Sequence, residues 1–299
     1  MAYTIPEIFH QKFATNIEAA IQQTSSVLDS TVTPFNFDGK SKSILVGTTI
    51  DWADATDGRM AQTNIGEYNA TQRWVVTEKV MVPVAPALDE WDESLLDEIT
   101  SPGSDIINAI TYGYNRIKEK KIISCIESAV SIGANAPTST EAFPSANIIA
   151  PASNGGLTFA KVAQVVRLAR EQDVNPAELT WVISPKDEEY LIASVNEVRS
   201  KDYTKVAPIE GGSVVGSRWM GFTWIISNQL TTDTTAHTVN TLVYGKQAIR
   251  FNFGSRKSAI ETRPDRNGAI QFRSSARMGG ARAQDKGVFI VKNKYATIA

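Results

Sequence analysis

The sequence predicts an α+β protein, and three segments carry this prediction. The first is a pair of β-rich arms, residues 43–52 and 68–80, joined by a polar connection that contains Asp57-Gly58. The second is a run from 104 to about 132 with apolar residues at helical spacing. The third begins near Thr158, where helix and strand signals alternate before strands alone continue to the end of the chain. Together they predict a hairpin, a long helix and an α/β core.

The two β-rich arms predict one long hairpin. At roughly 3.3 Å per strand residue, arms of about ten residues project on the order of 30 Å. An isolated two-stranded ribbon is marginally stable in water, and this one is too thin to bury the large apolar residues Ile50, Trp52, Tyr68 and Trp74. Exposed apolar surface of this extent usually marks an interface, so these four residues are predicted to contact another subunit. The alternative is a hairpin folded back onto its own domain.

The other elements follow from periodicity and turn signals. The run from 104 to 132 is predicted to form one helix of nearly thirty residues, about 40 Å long. Residues 1–30 carry apolar residues at helical spacing before a Ser/Thr-rich stretch, which predicts an amphipathic arm on an extended tether. Thr158 is expected to cap a helix, and Ser184-Pro185 to start another after a strand at 180–184. Further strands are predicted at 219–227, 242–244, 249–253, 269–273 and 288–291.

Composition narrows the class of protein. At 299 residues the chain exceeds the usual size of one domain, so two subdomains are predicted. The longest apolar run falls far short of the ~20 residues that a membrane helix requires, and the N-terminus lacks the basic and apolar regions of a targeting signal. Cys125 is the only cysteine, which excludes a disulfide framework within the chain and a thiolate metal cluster. Because it stands between Ile123 and Ile126, it is predicted to be a buried structural thiol.

Catalysis, metals and cofactors find little support in the sequence. The only histidines, His10 and His237, lie in polar terminal or loop contexts that suit neither a metal site nor a catalytic triad. Residues 211–216 are glycine-rich, yet they lack the Gly-Lys-Ser/Thr ending of a phosphate-binding loop. The six acidic residues of segment 89–98 are more typical of a solvated face or a docking site than of a catalytic pair. No enzyme, cofactor or metal is therefore expected.

Charge is divided unevenly along the chain. Residues 246–299 contain twelve Lys or Arg against three Asp or Glu, whereas the preceding part contains eighteen against twenty-nine. Mutual neutralisation is predicted: Arg273 and Arg277 would share one face if their strand continues that far, and Asp92 and Glu93 in segment 89–98 would supply partners within or between subunits. The alternative is two separate solvated faces. The basic region contains no recognisable nucleic-acid-binding motif.

The order of these elements resembles the major capsid proteins of tailed bacteriophages, the HK97-like fold. The hairpin resembles the E-loop of that family, and the long helix resembles its spine helix, beside a peripheral β-sheet. Similar strands and turns occur in Trp219-Met-Gly-Phe-Thr-Trp-Ile-Ile-Ser, in Leu242-Val-Tyr-Gly-Lys246 and in residues 277–291. The resemblance covers nearly the whole chain and implies five regions: an N-terminal arm (1–36), the E-loop hairpin (37–85), a peripheral domain with the spine helix (86–150), an α/β axial domain (151–245) and returning strands of the peripheral domain (246–299).

The resemblance implies a function in assembly. Copies of the chain would form pentamers and hexamers of an icosahedral shell around double-stranded DNA, synthesised and assembled in the host cytoplasm and located in the virion capsid. A portal and a decoration protein are further implied partners. Because only about forty residues precede the hairpin, scaffolding would come from a separate protein or be absent. Two alternatives stay open: an encapsulin-like compartment that encloses cargo enzymes, and a soluble α/β enzyme with an unrecognised carboxylate site.

One departure from some members of the family bears on covalent chemistry. Members that cross-link covalently use a lysine in the E-loop, whereas this chain has no lysine between Lys42 and Lys79. Contacts between subunits are therefore expected to be non-covalent.

Overall fold

A computed structural model describes residues 25–47, 69–82, 87–88, 105–151, 155–194, 218–266 and 268–296 of the chain. Contacts divide the chain into two compact units. The smaller unit comprises Met1–Ser26, Glu78–Glu119 and Gly254–Met278, and the larger unit comprises Val27–Thr77, Lys120–Phe253 and Gly279–Ala299. Both units contain helix and strand, so the α+β class is confirmed.

The described residues contain three α-helices, α1 (Asp105–Glu127), α2 (Phe159–Glu171) and α3 (Pro185–Ser194). The strands are β1 (Thr33–Pro34), β2 (Ser41–Gly47), β3 (Ala70–Val76), β4 (Glu78–Met81), β5 (Ala87–Leu88), β6 (Val130–Ile132), β7 (Ser139–Glu141), β8 (Ile148–Ile149), β9 (Leu179–Ile183), β10 (Thr223–Ile226), β11 (Thr232–Asp233), β12 (Thr238–Gly245), β13 (Ile249–Asn252), β14 (Arg256–Arg263), β15 (Ala269–Arg282) and β16 (Val288–Lys294).

The long strand β15 organises the smaller unit. It pairs antiparallel with β14 through residues 269–276, and with β4 and β5 on its other side. Because side chains alternate between the faces of a strand, Phe272 and Ala276 are buried while Arg273 and Arg277 are exposed. Also in this unit, the guanidinium of Arg256 lies 5.5 Å from the ring centre of Tyr114 on α1.

The larger unit is built on a sheet with strand order β10-β9-β12-β16-β8, in which β11 also pairs with β12. Trp181 and Trp224 are almost fully buried and stack with their ring centres 4.8 Å apart. Val162 and Val165 on α2 and Leu191 on α3 belong to the same buried cluster. Val162 is buried as its helical spacing predicts, whereas Phe159, at the start of the same pattern, is exposed.

A third sheet, β2-β3-β6-β7, lies in the larger unit and contains the base of the predicted hairpin. β2 and β3 pair antiparallel from Ser41 opposite Val76 to Gly47 opposite Ala70, which confirms that the two arms form a hairpin. β3 also pairs with β6, so the base of the hairpin is not an isolated ribbon. Residues 48–68, which complete the predicted hairpin, lie outside the described residues.

The predicted extent of the second hairpin arm, 68–80, is wrong. β3 ends at Val76, and β4 pairs with β15 instead of β2, with Val80 opposite Ala276. Thr77 separates the two strands; its hydroxyl donates to the carbonyl oxygens of Gly39 and Lys40 at 2.9 and 3.1 Å. Two consecutive β-rich runs thus belong to different sheets, a distinction that propensity alone does not make.

The predicted extent of the long helix is also wrong. α1 has 23 residues and ends at Glu127, whereas residues 130–132 form β6, where Ile132 is opposite Arg73 on β3. Apolar residues continue past the end of the helix at helical spacing, but pairing with β3 and β7 places them in a sheet. Tertiary pairing therefore overrides the local periodicity.

Other boundaries agree more closely with the sequence. The helix after Thr158, the strand at 179–183 and the helix starting at Pro185 lie within a residue of their predicted starts. The predicted strand at 219–227 is shorter, because Trp219–Gly221 forms a 3-10 turn in which Met220 adopts φ 55°. The strand predicted at 269–273 extends to Arg282, which satisfies the condition for Arg273 and Arg277 to share a face.

Candidate functional site at the hairpin base and the exposed sheet

A buried group of charges lies at the base of the hairpin. Arg73 on β3 is 6% exposed, and its guanidinium donates to the carboxylate of Asp285 at 2.5 and 3.2 Å. It also donates to Glu141 Oε2 at 2.9 Å and to the backbone carbonyl of Arg282 at 3.1 Å. The hairpin strand is thereby joined to β7 and to the segment that follows β15.

Arg282 completes this group. Its side chain is fully buried, and its Nε donates to Asp285 Oδ1 at 2.5 Å. Its Nη1 donates to the backbone carbonyls of Ile126 and Ser128 at 2.8 and 3.1 Å, where α1 ends. The guanidinium also lies 4.6 Å from the ring centre of Phe143, within the range of a cation–π interaction. We refer to Arg73, Glu141, Arg282 and Asp285 as the hairpin-base ion cluster.

The cluster balances two cations against two anions. Burial raises the pKa of Asp285, but hydrogen bonds and attraction from Arg73 and Arg282 outweigh burial, so the pKa of Asp285 lies below its ordinary value. Removal of one partner from such a group leaves an uncompensated buried charge, which is strongly destabilising. The buried Arg73 and Arg282 therefore depend on Asp285, whereas the side chain of Glu141 is 43% exposed.

Trp74 follows Arg73 in the sequence, but its indole makes a different contact. It is half-buried, and its Nε1 donates to the backbone carbonyl of Gly133 at 2.7 Å. Gly133 has φ +150°, and a Cβ there would lie 2.1 Å from the carbonyl oxygen of Ala136, so a glycine is required. Trp74 thus contacts its own chain, and its predicted contact with a second subunit stays a prediction. Ile50, Trp52 and Tyr68 lie outside the described residues.

The exposed face of the β15 sheet is basic. We define the basic sheet face as the side-chain face formed by Lys79, Lys257, Arg263, Arg273 and Arg277, whose only acidic member is Glu261. Arg273 contacts Glu261 at 3.0 Å, and Arg263 contacts Asp265 at 2.7 Å. The face therefore keeps an excess of positive charge after its own ion pairs are counted.

Arg277 differs from its neighbours on the basic sheet face. It stands directly opposite Lys79 in the β4–β15 register, and like charges at opposite positions are destabilising. No ion pair to Arg277 is found in the part of the chain that the structure describes. An acidic partner would relieve this repulsion. The candidate partners Asp92 and Glu93 lie outside the described residues, in a segment that follows directly on β5.

Among the described residues, side chains are not grouped as a metal site requires. Within the described ranges, no three His, Cys, Asp or Glu side chains are grouped so that they could hold a metal ion. Cys125 is buried, and burial raises the pKa of its thiol to about 12, as expected of a structural thiol. No helix among the described residues is long and apolar enough to span a membrane.

Sequence reasoning missed the hairpin-base ion cluster. Arg73 lies 68 positions from Glu141 and 212 positions from Asp285, so no local spacing brings them together. Nor did the sequence identify a second buried polar group in the larger unit, formed around Lys161, Asp187 and Asn293. The position of Lys161 between the apolar residues of α2 is the one sequence feature that could have indicated this buried group.

Comparisons with known proteins agree with one another. The sequence matches the family described as Phage capsid protein over residues 5–295. No curated protein matches it. Among solved structures, the chain is similar to the capsid asymmetric unit of cyanophage Pam1, with a TM-score of 0.69 and 12% identity over 99% of both chains. It is also similar to the capsid of Ralstonia phage GP4, with a TM-score of 0.67 and 12% identity over 100% of this chain and 98% of that chain.

Proposed function

The chain belongs to the phage capsid protein family, has the HK97-like fold and forms shells as a major capsid protein, and from this premise we propose how its copies join. Pentamers and hexamers build a closed icosahedral shell around double-stranded DNA. The match to a capsid family over residues 5–295 is the observation that carries this proposal. It also favours a virion shell over the encapsulin-like compartment and over a soluble α/β enzyme.

Two contacts are proposed to join neighbouring subunits. In the first, the outer part of the hairpin, with Ile50, Trp52 and Tyr68, lies over the adjacent subunit, while the hairpin-base ion cluster holds its base in place. In the second, the acidic segment 89–98 meets the basic sheet face of a neighbour, where Arg277 stands opposite Lys79. Each contact is weak alone, but a closed symmetric lattice repeats it at every subunit.

The remaining partners follow from the same premise. A separate scaffolding protein, a portal and a decoration protein are proposed to join the shell, which assembles in the host cytoplasm. The packaged DNA is proposed to lie near the shell without sequence-specific contacts to it. The chain is proposed to act as a structural protein without an enzymatic reaction, and to need no cofactor.

Electron microscopy of particles isolated from cells tests the proposal. A virion shell is expected to appear as icosahedral particles whose interior holds DNA in cells that also carry the packaging proteins. Small shells filled with protein cargo would instead support an encapsulin-like compartment. A chain that stays monomeric at high concentration, with or without a scaffolding protein, would contradict a shell-forming role.

Denaturing gels give a second test. Because the hairpin has no lysine between Lys42 and Lys79 and the chain has one cysteine, assembled shells are expected to dissociate into single chains of 32.6 kDa without reductant. Gel electrophoresis of purified shells after boiling in detergent measures this directly. A ladder of covalent multimers would contradict the prediction.

Substitutions of the two hairpin tryptophans should separate assembly from folding. Trp52→Ala is expected to reduce shell yield while the unassembled subunit keeps its stability, because an anchor residue buried at an interface contributes about 2 kcal/mol or more. Trp74→Ala is expected to destabilise the subunit itself, since it removes the bond to Gly133 and the packing of the indole. Thermal unfolding of the subunit, measured beside shell yield, distinguishes them. A large loss of subunit stability in Trp52→Ala would place that residue in the intrachain core.

A further inference from the structure

The second buried polar group of the larger unit brings an amine, an amide and a carboxyl group together. Lys161 on α2 is 5% exposed, and Asn293 on β16 and Asp187 on α3 are fully buried. Lys161 Nζ donates to Asn293 Oδ1 at 2.9 Å, and also to the backbone carbonyls of Gly156 at 2.7 Å and Lys292 at 3.0 Å. We refer to Lys161, Asp187 and Asn293 as the amide triad.

The hydrogen bonds fix the orientation of the Asn293 side chain. Its Nδ2 donates to Asp187 Oδ1 at 2.8 Å, so its carbonyl end faces the lysine amine. The hydroxyl of Tyr295 also donates to Asp187 Oδ1, while Ser184 donates to Oδ2 through its backbone nitrogen at 2.9 Å. The amine thus lies beside the carbonyl group that it could attack, and the carboxyl group lies beside the nitrogen that would leave.

We propose that Lys161 and Asn293 become joined by an isopeptide bond within the chain, with Asp187 relaying the proton. The neutral Nζ attacks Cγ of Asn293, a bond between Nζ and Cγ forms, and the bond between Cγ and Nδ2 breaks. Asp187 as the neutral acid donates its proton to Nδ2, which leaves as ammonia, and Asp187 recovers a proton from Nζ as the tetrahedral adduct collapses. No oxidant, reductant or cofactor is needed, and the net charge of the triad is unchanged.

Burial favours the reactive protonation state. It lowers the pKa of Lys161 to about 8, although attraction to Asp187 opposes this, and it raises the pKa of Asp187 despite hydrogen bonds from Ser184, Tyr295 and Asn293. Both shifts move the pair away from the ion pair and towards a neutral amine beside a neutral acid. Desolvation thereby raises the fraction of Lys161 that is present as the nucleophilic amine. Fixed contact between reacting groups supplies an effective concentration of about 10⁵ M or more in well-oriented cases.

The proposed isopeptide bond would close a large loop of the chain. Lys161 and Asn293 are 132 positions apart, so the bond would tie α2 to the last strand of the central sheet. A cross-link between distant residues restricts the unfolded chain, as a disulfide does. This chain has one cysteine and cannot form a disulfide of its own. Because the link lies within one chain, it produces no multimers on a denaturing gel.

The intact mass of the purified full chain tests the proposal. The wild-type chain is expected to be lighter than its sequence mass by one ammonia, and its digest to contain a branched peptide that joins Lys161 to Asn293. Lys161→Arg keeps hydrogen-bond donors at this position but cannot form the amide, so it should have its full sequence mass. Asp187→Asn keeps the shape of the side chain but removes the acid. This variant should therefore also have its full sequence mass. Circular dichroism of both variants verifies that they fold.

Two outcomes would overturn the proposal. One is a wild-type chain at its full sequence mass after prolonged incubation of folded protein at mildly alkaline pH. The other is loss of ammonia that persists in Lys161→Arg, since asparagine followed by glycine, as at 154–155 and 267–268, can lose ammonia by forming a succinimide. The branched peptide distinguishes the two sources.

Discussion

Asp285→Asn is expected to destabilise the subunit by about 3–5 kcal/mol, because it leaves two buried guanidinium groups without their shared carboxylate. The side chains of Arg73 and Arg282 are 8% and 0% exposed, so the two cations themselves have little contact with water. Asparagine keeps the size of the side chain, which separates the effect of charge from that of packing. Chemical denaturation of the unassembled subunit measures the change in the free energy of unfolding.

Asp265→Asn provides the matched control. Asp265 also pairs with an arginine, Arg263, at 2.7 Å, but both side chains are largely exposed. Exposed ion pairs contribute little to stability, so this variant should unfold almost as the wild type does. If Asp285→Asn were no more destabilising than Asp265→Asn, the ion cluster would not be what holds the base of the hairpin.

The same carboxylate predicts a dependence on pH. The pKa of Asp285 in the folded chain is below its ordinary value of 3.8, so its contribution to stability is fully present above that value. This contribution is lost as the pH falls through the lowered pKa of the folded state. Wild-type stability should therefore fall more steeply below pH 3.8 than that of Asp285→Asn, which lacks the titrating group. Parallel acid denaturation curves would contradict this assignment.

Charge reversal on the basic sheet face is expected to block assembly without unfolding the subunit. Arg277→Glu replaces a repulsive position opposite Lys79 by an attractive one, so the stability of the subunit should be unchanged or slightly higher. Shell formation should nevertheless fall steeply in low salt, because each subunit would then present like charges to segment 89–98 of its neighbour. Shell yield by sedimentation, measured beside subunit unfolding, separates the two effects.

A reciprocal swap identifies the partner. Asp92→Lys with Glu93→Lys is also expected to impair assembly, and its combination with Arg273→Glu and Arg277→Glu should restore part of the yield. If the two surfaces did not contact each other, combining the substitutions could not restore the shell yield. If the Asp92 and Glu93 variant assembled like the wild type in low salt, the proposed pairing would be wrong.

Local signals were sufficient for the α/β part of this fold between Thr158 and Ser194. The helices after Thr158 and Ser184 and the strand between them have apolar spacing and turn residues that agree with their tertiary environment, so sequence and structure coincide there. The sequence placed Arg273 and Arg277 on one face only if their strand continued past 273, and β15 does extend to Arg282. The HK97-like class followed from the order of such elements rather than from any single motif.

Long-range partners account for what the sequence did not predict. Val130–Ile132 continues a helical spacing, and only pairing with β3 makes it a strand. Arg73 and Asp285 have the appearance of ordinary surface charges in a strand and a loop, because the contacts that bury them come from distant parts of the chain. Lys161 was likewise uninformative without Asn293, 132 positions away.

The hairpin-base ion cluster has a mechanical consequence. A pull on the hairpin would reach the subunit through β2 and β3, and two strands of an antiparallel pair can be peeled apart one hydrogen bond at a time. Arg73 bonds sideways to Glu141, Asp285 and the backbone of Arg282, so tension on β3 would be shared with β7 and with the end of β15. Several bonds must then break together, and the force required to detach the hairpin rises accordingly.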